Sequence, residues 1–332
     1  MIKPLLSIII VSYNTADLTL QCLRSILTDK GLELSLKSPK NTPNTKNPKS
    51  QLKTPTEIII IDNNSKDNSV KAIKEFIQKK KLPNITLIEN KENTGYATAN
   101  NQGISISKGE YLLLLNSDTI ILHSAISQSL DWLASHPEAS SCTAQLLNQD
   151  KTIQASGGFF PNLLNVFTWS TGLDDLPLVN SLTKPLHPHT PHFYTKDSFY
   201  LKDHSQDWVT GAFALIRRSV INPKEAFDPN YFMYGEEVEL FYRIKKKYPH
   251  LHTQYLVGPQ IIHLGGASAD SKLDPILNEY LGVISFFKKH KDPFQTFIVR
   301  LLLKTNAFLR AIINTILSPK KASLYLQACQ KL

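Results

Sequence analysis

Short apolar runs alternate along the chain with stretches in which apolar residues recur every three or four positions. Residues 5–11 (LLSIIIV), 57–61 (EIIII), 85–88 (ITLI) and 111–115 (YLLLL) have strand length and little polar alternation, as strands buried on both faces require. Between them, residues 17–27 set Leu18, Cys22, Leu23 and Ile26 on one helical face. Val70, Ile73, Phe76 and Ile77 mark a second helix, and a third opens after Gly95. Strand–helix alternation predicts βαβ units: an α/β fold with a mainly parallel sheet and helices on both faces. Ligand sites in such sheets lie beyond the carboxyl ends of the strands. Polar clusters stand at those ends here: Ser12-Tyr13-Asn14, Asp62-Asn63-Asn64-Ser65 and Asn116-Ser117-Asp118.

Two segments break the alternation. Residues 34–56 hold four prolines and five lysines with no acid and no aromatic, which reads as a disordered basic insertion. Residues 172–206 are rich in Pro, His and Tyr and read as a variable loop, with His187, His189 and His192 too interrupted by proline to favour a metal site. A tail follows residue 290. From residue 294 to 317, Phe297, Ile298, Leu301, Leu302, Phe308, Leu309, Ile312, Ile313 and Ile316 recur at helical spacing, with Arg300, Lys304 and Arg310 off that stripe. The chain therefore divides into an α/β domain at 1–290 and a basic amphipathic tail at 291–332. Packing on the domain or on a homodimer partner, and peripheral docking on an anionic membrane face, are both open for this tail.

Composition narrows the classes. The hydrophobic fraction of 42% and charged fraction of 20% are those of a globular chain. Cys22, Cys142 and Cys329 form no CxxC pair, which disfavours a disulfide framework or thiolate zinc site and suits reduced, mostly buried thiols in the cytoplasm. No secretory signal is expected at the amino terminus, and no run reaches the ~18 apolar residues of a spanning helix. The net charge of +9 fits nucleic acid, an anionic membrane or phosphate-bearing ligands. No zinc-finger spacing, helix-turn-helix signature or aromatic-interleaved basic motif supports nucleic acid.

Candidate chemistry lies at the strand ends and in two later motifs. A carboxylate such as Asp118 at the end of an apolar strand costs several kcal/mol if buried unpaired, so a cation opposite it is the better explanation. Magnesium or manganese bridging a diphosphate would fit. Glu236-Glu237-Val238-Glu239 begins a helix expected to reach about Lys247. At about 100° per residue Glu237 falls at the centre of the face made by Leu240, Phe241 and Ile244, aimed inward as a general base. Glu236 falls at the edge, and Glu239 pairs with Arg243 on the surface. His263 follows Ile261-Ile262 and precedes two glycines, so it is either a satisfied core histidine or a reach toward metal or phosphate. Residues 93–101 (NTGYATANN) open a helix with small side chains, a geometry that suits phosphate. They match neither GxGxxG nor a Walker loop, which disfavours hydride transfer and P-loop chemistry.

In order, the motifs are SIIIVSYN at 7–14, EIIIIDNNSKDNS at 57–69, NTGYATANNQGI at 93–104 and GEYLLLLNSDT at 109–119. SGGFFP at 156–161, WVTGAFALIRR at 208–218, FDPNYFMYGEEVELFYRIKK at 227–246 and IIHLGGAS at 261–268 follow. This ordered set resembles family 2 glycosyltransferases of the GT-A fold, in particular their rhamnosyltransferase-like branch. The resemblance implies that Ser12, Tyr13 and Asn14 line a nucleotide pocket and that Asp62 bonds the base or ribose. It places Gly95, Asn100 and Asn116 near the nucleotide-sugar and gives Asp118 and His263 a divalent metal, Mn2+ or Mg2+. Trp208, Gly211 and Glu236 would shape the acceptor side, and Glu237 would be the catalytic base. The implied activity is inverting transfer of a sugar, with rhamnose suggested, from a nucleoside-diphosphate sugar to a cell-surface polysaccharide or lipid-linked glycan; the inner membrane face is where the membrane-docking reading of the tail would put it. The family helix usually reads Glu-Asp; here it reads Glu236-Glu237. A carboxylate displaced by about 1 Å can lose on the order of a hundredfold in rate. A catalytically degenerate nucleotide-sugar-binding protein of the same fold is the alternative.

Overall fold

The computed structural model describes residues 3–34, 54–176, 179, 183–188, 199–265 and 273–332. His189, His192, residues 266–268 and most of the 34–56 insertion lie outside the described residues.

The first half follows the sequence alternation. β1 (Leu6–Ser12), α1 (Ala16–Ile26), β2 (Leu32–Glu33), β3 (Thr54–Asp62), α2 (Ser69–Lys80), β4 (Ile85–Glu89), α3 (Gly95–Ile106) and β5 (Tyr111–Asn116) succeed one another. β3 starts earlier than expected, so residues 54–56 belong to a strand and not to the insertion. β4, β3, β1 and β5 lie side by side and parallel. Because side chains alternate across a strand, Ile8, Ile10, Ile58 and Ile60 face one hydrophobic cluster while Ile9, Ile59 and Ile61 face the other. Ser12 stands opposite Asp62 and Val11 opposite Asn116, so the polar clusters come to one edge of the sheet.

The second half is mixed. It contains β6 (Thr119–Ile121), α4 (Ala125–Ser135), β7 (Ala139–Leu147), β8 (Ile153–Gln154), β9 (Gly157–Gly158) and α5 (Leu163–Thr171). After the 3-10 turns Leu173–Asp175 and Phe199–Leu201 come β10 (His204–Gln206), β11 (Trp208–Val209) and β12 (Phe213–Arg217). α6 (Glu236–Lys247), β13 (His252–His263), α7 (Leu273–His290), α8 (Pro293–Leu317) and α9 (Pro319–Lys331) complete the order. β12 runs antiparallel between β5 and β7, and β13 lies parallel to β7. Among the described residues eleven strands form this sheet, parallel in its first half and mixed in its second. The 172–206 region is not one loop, since its described residues include two 3-10 turns and β10 at the sheet edge.

α8 and α9 pack back on the domain. The face of α8 that is buried is Val299, Leu303, Ala307 and Ala311, with the polar Asn306 beside them. The large side chains of the apolar stripe, Phe297, Leu301, Phe308, Leu309, Ile312, Ile313 and Ile316, point outward. Alanines permit close approach to α7 and α9, which the bulkier residues would block. No described helix is long and apolar enough to cross a membrane.

Candidate active site

Two strand endings build the first wall. β6 pairs with the end of β13, Thr119 opposite His263. That pairing carries His263 to Asp118, with Nε2 3.4 Å from Oδ1. Asn116 Nδ2 lies 3.2 Å from the same Nε2. On the other ring nitrogen, Nδ1 stands 2.6 Å from Gln154 Oε1. Gln154 is oriented by its amide nitrogen donating to Asn148 Oδ1 at 3.0 Å. An amide oxygen only accepts, so Nδ1 donates to Gln154 and Nε2 is turned toward Asn116 and Asp118. A ring nitrogen and a carboxylate oxygen side by side are donors that a cation between them could share. Among the described residues no three of His, Cys, Asp and Glu converge. Asp118 and His263 would therefore be two protein ligands of a divalent cation whose other ligands come from a diphosphate, a common arrangement for Mg2+. The donor set fits that ion.

The second wall is the start of α6. Gly235 precedes it at φ +91°, and a Cβ there would meet Gly282 Cα of α7 at 3.0 Å, so the helix start is pressed against α7. Glu237 Oε1 accepts from the Gly211 backbone N–H at 2.9 Å. Glu236 is 2% exposed, and its Oε2 is buried with no hydrogen-bond partner. Burial, then the neighbouring Glu237 charge, pushes the Glu236 carboxyl well above its ordinary range; burial also raises Glu237. Glu236 is thus the member of the pair that keeps a proton. Tyr96, whose hydroxyl donates to the Gly211 carbonyl at 3.1 Å, is likewise raised by burial and by Glu237.

The expected inward face of α6 needs correction. Its buried residues are Glu236, Val238, Glu239, Leu240, Phe241 and Ile244, while Glu237 is only partly buried, at the cavity. Glu239 is not a surface partner of Arg243. It is 0% exposed and receives Arg243 Nε at 2.8 Å, Lys289 Nζ at 2.8 Å and His290 Nε2 at 3.0 Å. Burial pushes its carboxyl up, but the bonds from His290, Lys289 and Arg243 outweigh that and hold it below the usual range. The sequence spacing showed the Arg243 pair but not α7, which covers it.

Between the walls lies a cavity of about 670 Å3. Of the expected residues, Tyr13, Asn116, Asp118, Trp208, Glu236, Glu237 and His263 line it. The others stand behind or beside the wall. Ser12 Oγ turns into a buried hydroxyl cluster with Thr15 and Thr19. Asn14 joins the loops after β1 and β3, accepting from Lys66 N at 2.7 Å. Asp62 is held by Ser65 N at 3.0 Å through Oδ2, and its buried Oδ1 has no partner. Gly95 sits at φ +80° where close approach is required, but its Cβ would meet Phe232 O at 2.6 Å, protein backbone and not a ligand. Tyr96 N donates to that same carbonyl, so the start of α3 is occupied. Asn100 bonds Tyr96 O inside α3. Gly211 touches Glu237 from behind. Sequence reasoning passed over Asn63, Asn93, Tyr96, Gln154, His187 and Glu279, all in the lining. Asn63 was visible in its polar cluster; Gln154 and Glu279 sit in no motif and reach the cavity through long-range packing alone. His187 Nε2 lies 3.1 Å from Glu279 Oε1.

Known proteins share parts of this chain's sequence and its fold. Residues 7–222 match the Glycosyl transferase family 2 model. An N-acetylglucosaminyl-diphospho-decaprenol L-rhamnosyltransferase of Mycobacterium tuberculosis is 25% identical over 205 residues, 58% of this chain and 62% of that protein. The chain thus spans about 62% of the length of that relative. A poly(ribitol-phosphate) beta-glucosyltransferase of Bacillus spizizenii is 34% identical over 117 residues, 35% of this chain and 15% of its own. Among solved structures, a mannosyltransferase of Pyrobaculum calidifontis in complex with GDP-Man and Mn2+ superposes with TM-score 0.54 at 15% identity, covering 99% of this chain and 81% of its own. GalNAc-T7 with UDP, GalNAc and Mn2+ gives 0.56 at 14%, covering 98% and 54%. The fold is of the GT-A type, a large curled sheet flanked by helices.

Proposed function

The chain belongs to glycosyl transferase family 2, and from that premise we propose that it transfers a sugar from a nucleoside-diphosphate donor to a glycan hydroxyl with inversion at the anomeric carbon. The observation that carries this is one cavity with Asp118, His263 and Asn116 on one wall and the raised carboxyls Glu236 and Glu237 on the other. Tyr13 and Asn63 are suited to the nucleotide, and the unpartnered Asp62 Oδ1 to a hydroxyl or base N–H that reaches it. A divalent cation held by Asp118 and His263 would supply charge compensation to the departing diphosphate. Glu237, fixed by the Gly211 N–H, takes the proton of the acceptor hydroxyl, and that oxygen attacks the anomeric carbon from the opposite face. Glu236 keeps its own proton and steadies Glu237 as the anionic partner. Trp208 and Gly211 shape the acceptor side.

The donor reading is rhamnose, on the likeness to the mycobacterial rhamnosyltransferase; the acceptor reading is a cell-wall or lipid-linked glycan. The basic carboxyl-terminal helices belong to the same reading as a point of attachment to the inner membrane face. Incubation with Mn2+ and a panel of dTDP-, UDP- and GDP-sugars tests the function through nucleoside diphosphate release. Release from one donor, abolished in Asp118→Ala, is expected. A wild-type protein that neither releases a diphosphate nor is thermally stabilised by any nucleotide with metal would overturn it.

A further inference from the structure

α8 carries nine large apolar side chains that are each at least half exposed, with Phe294 at 70% and Ile316 at 90%. At about 100° per residue, Phe294, Leu301, Phe308, Ile312 and Ile316 fall within roughly 40° of the direction opposite the buried Leu303. The helix therefore has a continuous apolar face turned away from the protein. Scattered exposed apolar residues need no explanation, but an unpartnered face of this length does. A neighbouring element also exposes apolar side chains. Asn306 of α8 donates to Ser170 O of α5 and accepts from Tyr280 Oη of α7, which fixes the three helices together. On α5 and the turn after it, Leu164, Phe167, Leu173 and Leu176 are 38–58% exposed.

Charge selects the occupant. Residues 293–332 contain six Lys and Arg and no Asp or Glu. A second copy would bring six positive charges against six, whereas an anionic bilayer is attracted to them. Arg300 and Lys304 lie about 60° and 100° round the helix from Leu303, along one side of the apolar face, where lipid headgroups could meet them. We propose that α8, together with α5 and its following turn, is a docking surface for an anionic lipid bilayer, from which the acceptor enters as a lipid-linked glycan. The proposal rests on the transferase reading and deepens it. α7 is the shared element: it packs against α8 and supplies Glu279, Val283 and Phe286 to the cavity. α5 bridges from the other side, with Trp169 edge-on to Tyr280 and 5.7 Å from the cavity residue His187. The cavity and the apolar surface thus share one corner of the molecule, and a polyisoprenoid or acyl chain could remain in the bilayer while its glycan reaches Glu237.

The full chain is sedimented with vesicles of phosphatidylglycerol and phosphatidylethanolamine, and with phosphatidylcholine alone. Wild-type protein should bind the anionic vesicles and lose them as salt rises. Leu309→Glu/Ile312→Glu/Ile316→Glu should reduce that binding at least about tenfold, since each change removes insertable apolar surface. Arg300→Gln and Lys304→Gln should each reduce it roughly fivefold. In all of these variants nucleoside diphosphate release in solution should stay at the wild-type rate. A wild-type protein that ignores anionic vesicles overturns the proposal. If it also sediments as a dimer that the triple variant dissolves, the face is an interface between copies. Loss of diphosphate release in wild-type protein would overturn the transferase reading while leaving the vesicle result intact.

Discussion

α6 and α8 break the rule of helix burial in opposite directions. α6 buries Glu236 and Glu239, charged groups that belong in water, while α8 leaves nine large apolar side chains in water. The two glutamates also differ from each other. Glu239 is compensated by three cationic groups from its own helix and α7, and its carboxyl is held down. Glu236 has no cation and an unbonded oxygen, and its carboxyl is pushed up. A buried charge with partners fastens elements together; a buried carboxyl without them stores a proton, the property a transfer site uses. An exposed apolar face has no such internal compensation and points to something outside the chain.

The strongest way to break this comparison is Glu237→Gln, which should lower the transfer rate about 100-fold to 10,000-fold with nucleotide binding retained, as read by steady-state kinetics beside calorimetric titration. Equal rates would remove Glu237 from the role of base. Next is Leu303→Ala on the buried side of α8, expected to cost about 2–5 kcal/mol in urea unfolding. Glu239→Ala should cost roughly 2–3 kcal/mol, below the about 3–5 kcal/mol of a fully enclosed pair because Arg243 and Lys289 are partly solvated. Glu236→Gln should have the opposite sign. A carboxyl raised by folding favours the folded state only below its unfolded pKa, and that contribution is lost as pH rises through the folded value. The amide should therefore stabilise the protein at neutral pH, and thermal melts from pH 4 to 8 should show a smaller fall than wild type. Glu239 contributes in the reverse sense, with stability present at neutral pH and lost as pH falls through its depressed value. Last, Ile316→Ser should change stability by no more than about 0.5 kcal/mol, because no neighbour is lost; a larger loss would mean that this face is packed in the isolated chain.

Much of the fold was legible because the strands β1, β3, β4 and β5 are specified by local composition. An unbroken run such as residues 111–115 can be satisfied only between two covered faces. The polar clusters at their ends then marked the site, and Tyr13, Asn116 and Asp118 do line the cavity. β12 was missed because residues 213–217 resemble any short apolar segment, and its antiparallel place between β5 and β7 depends on the path of the chain. The resemblance placed Gly95 near the nucleotide-sugar, whereas the neighbour that demands a glycine there is the Phe232 carbonyl, more than a hundred residues away.

The sequence by itself determined the strands β1, β3, β4 and β5, the helix periods, the edge at which chemistry gathers, and, through its ordered motifs, the family. Tertiary structure alone decided which side of α6 and of α8 counts as inside. Periodicity identifies an apolar face but not the neighbour that will cover it, because burial depends on the volume and charge of residues far along the chain. That is why α8 buries Val299, Leu303, Ala307 and Ala311 and exposes Phe297, Phe308 and Ile316, why Glu239 is enclosed by Lys289 and His290 of α7, and why Gln154 comes to bond His263.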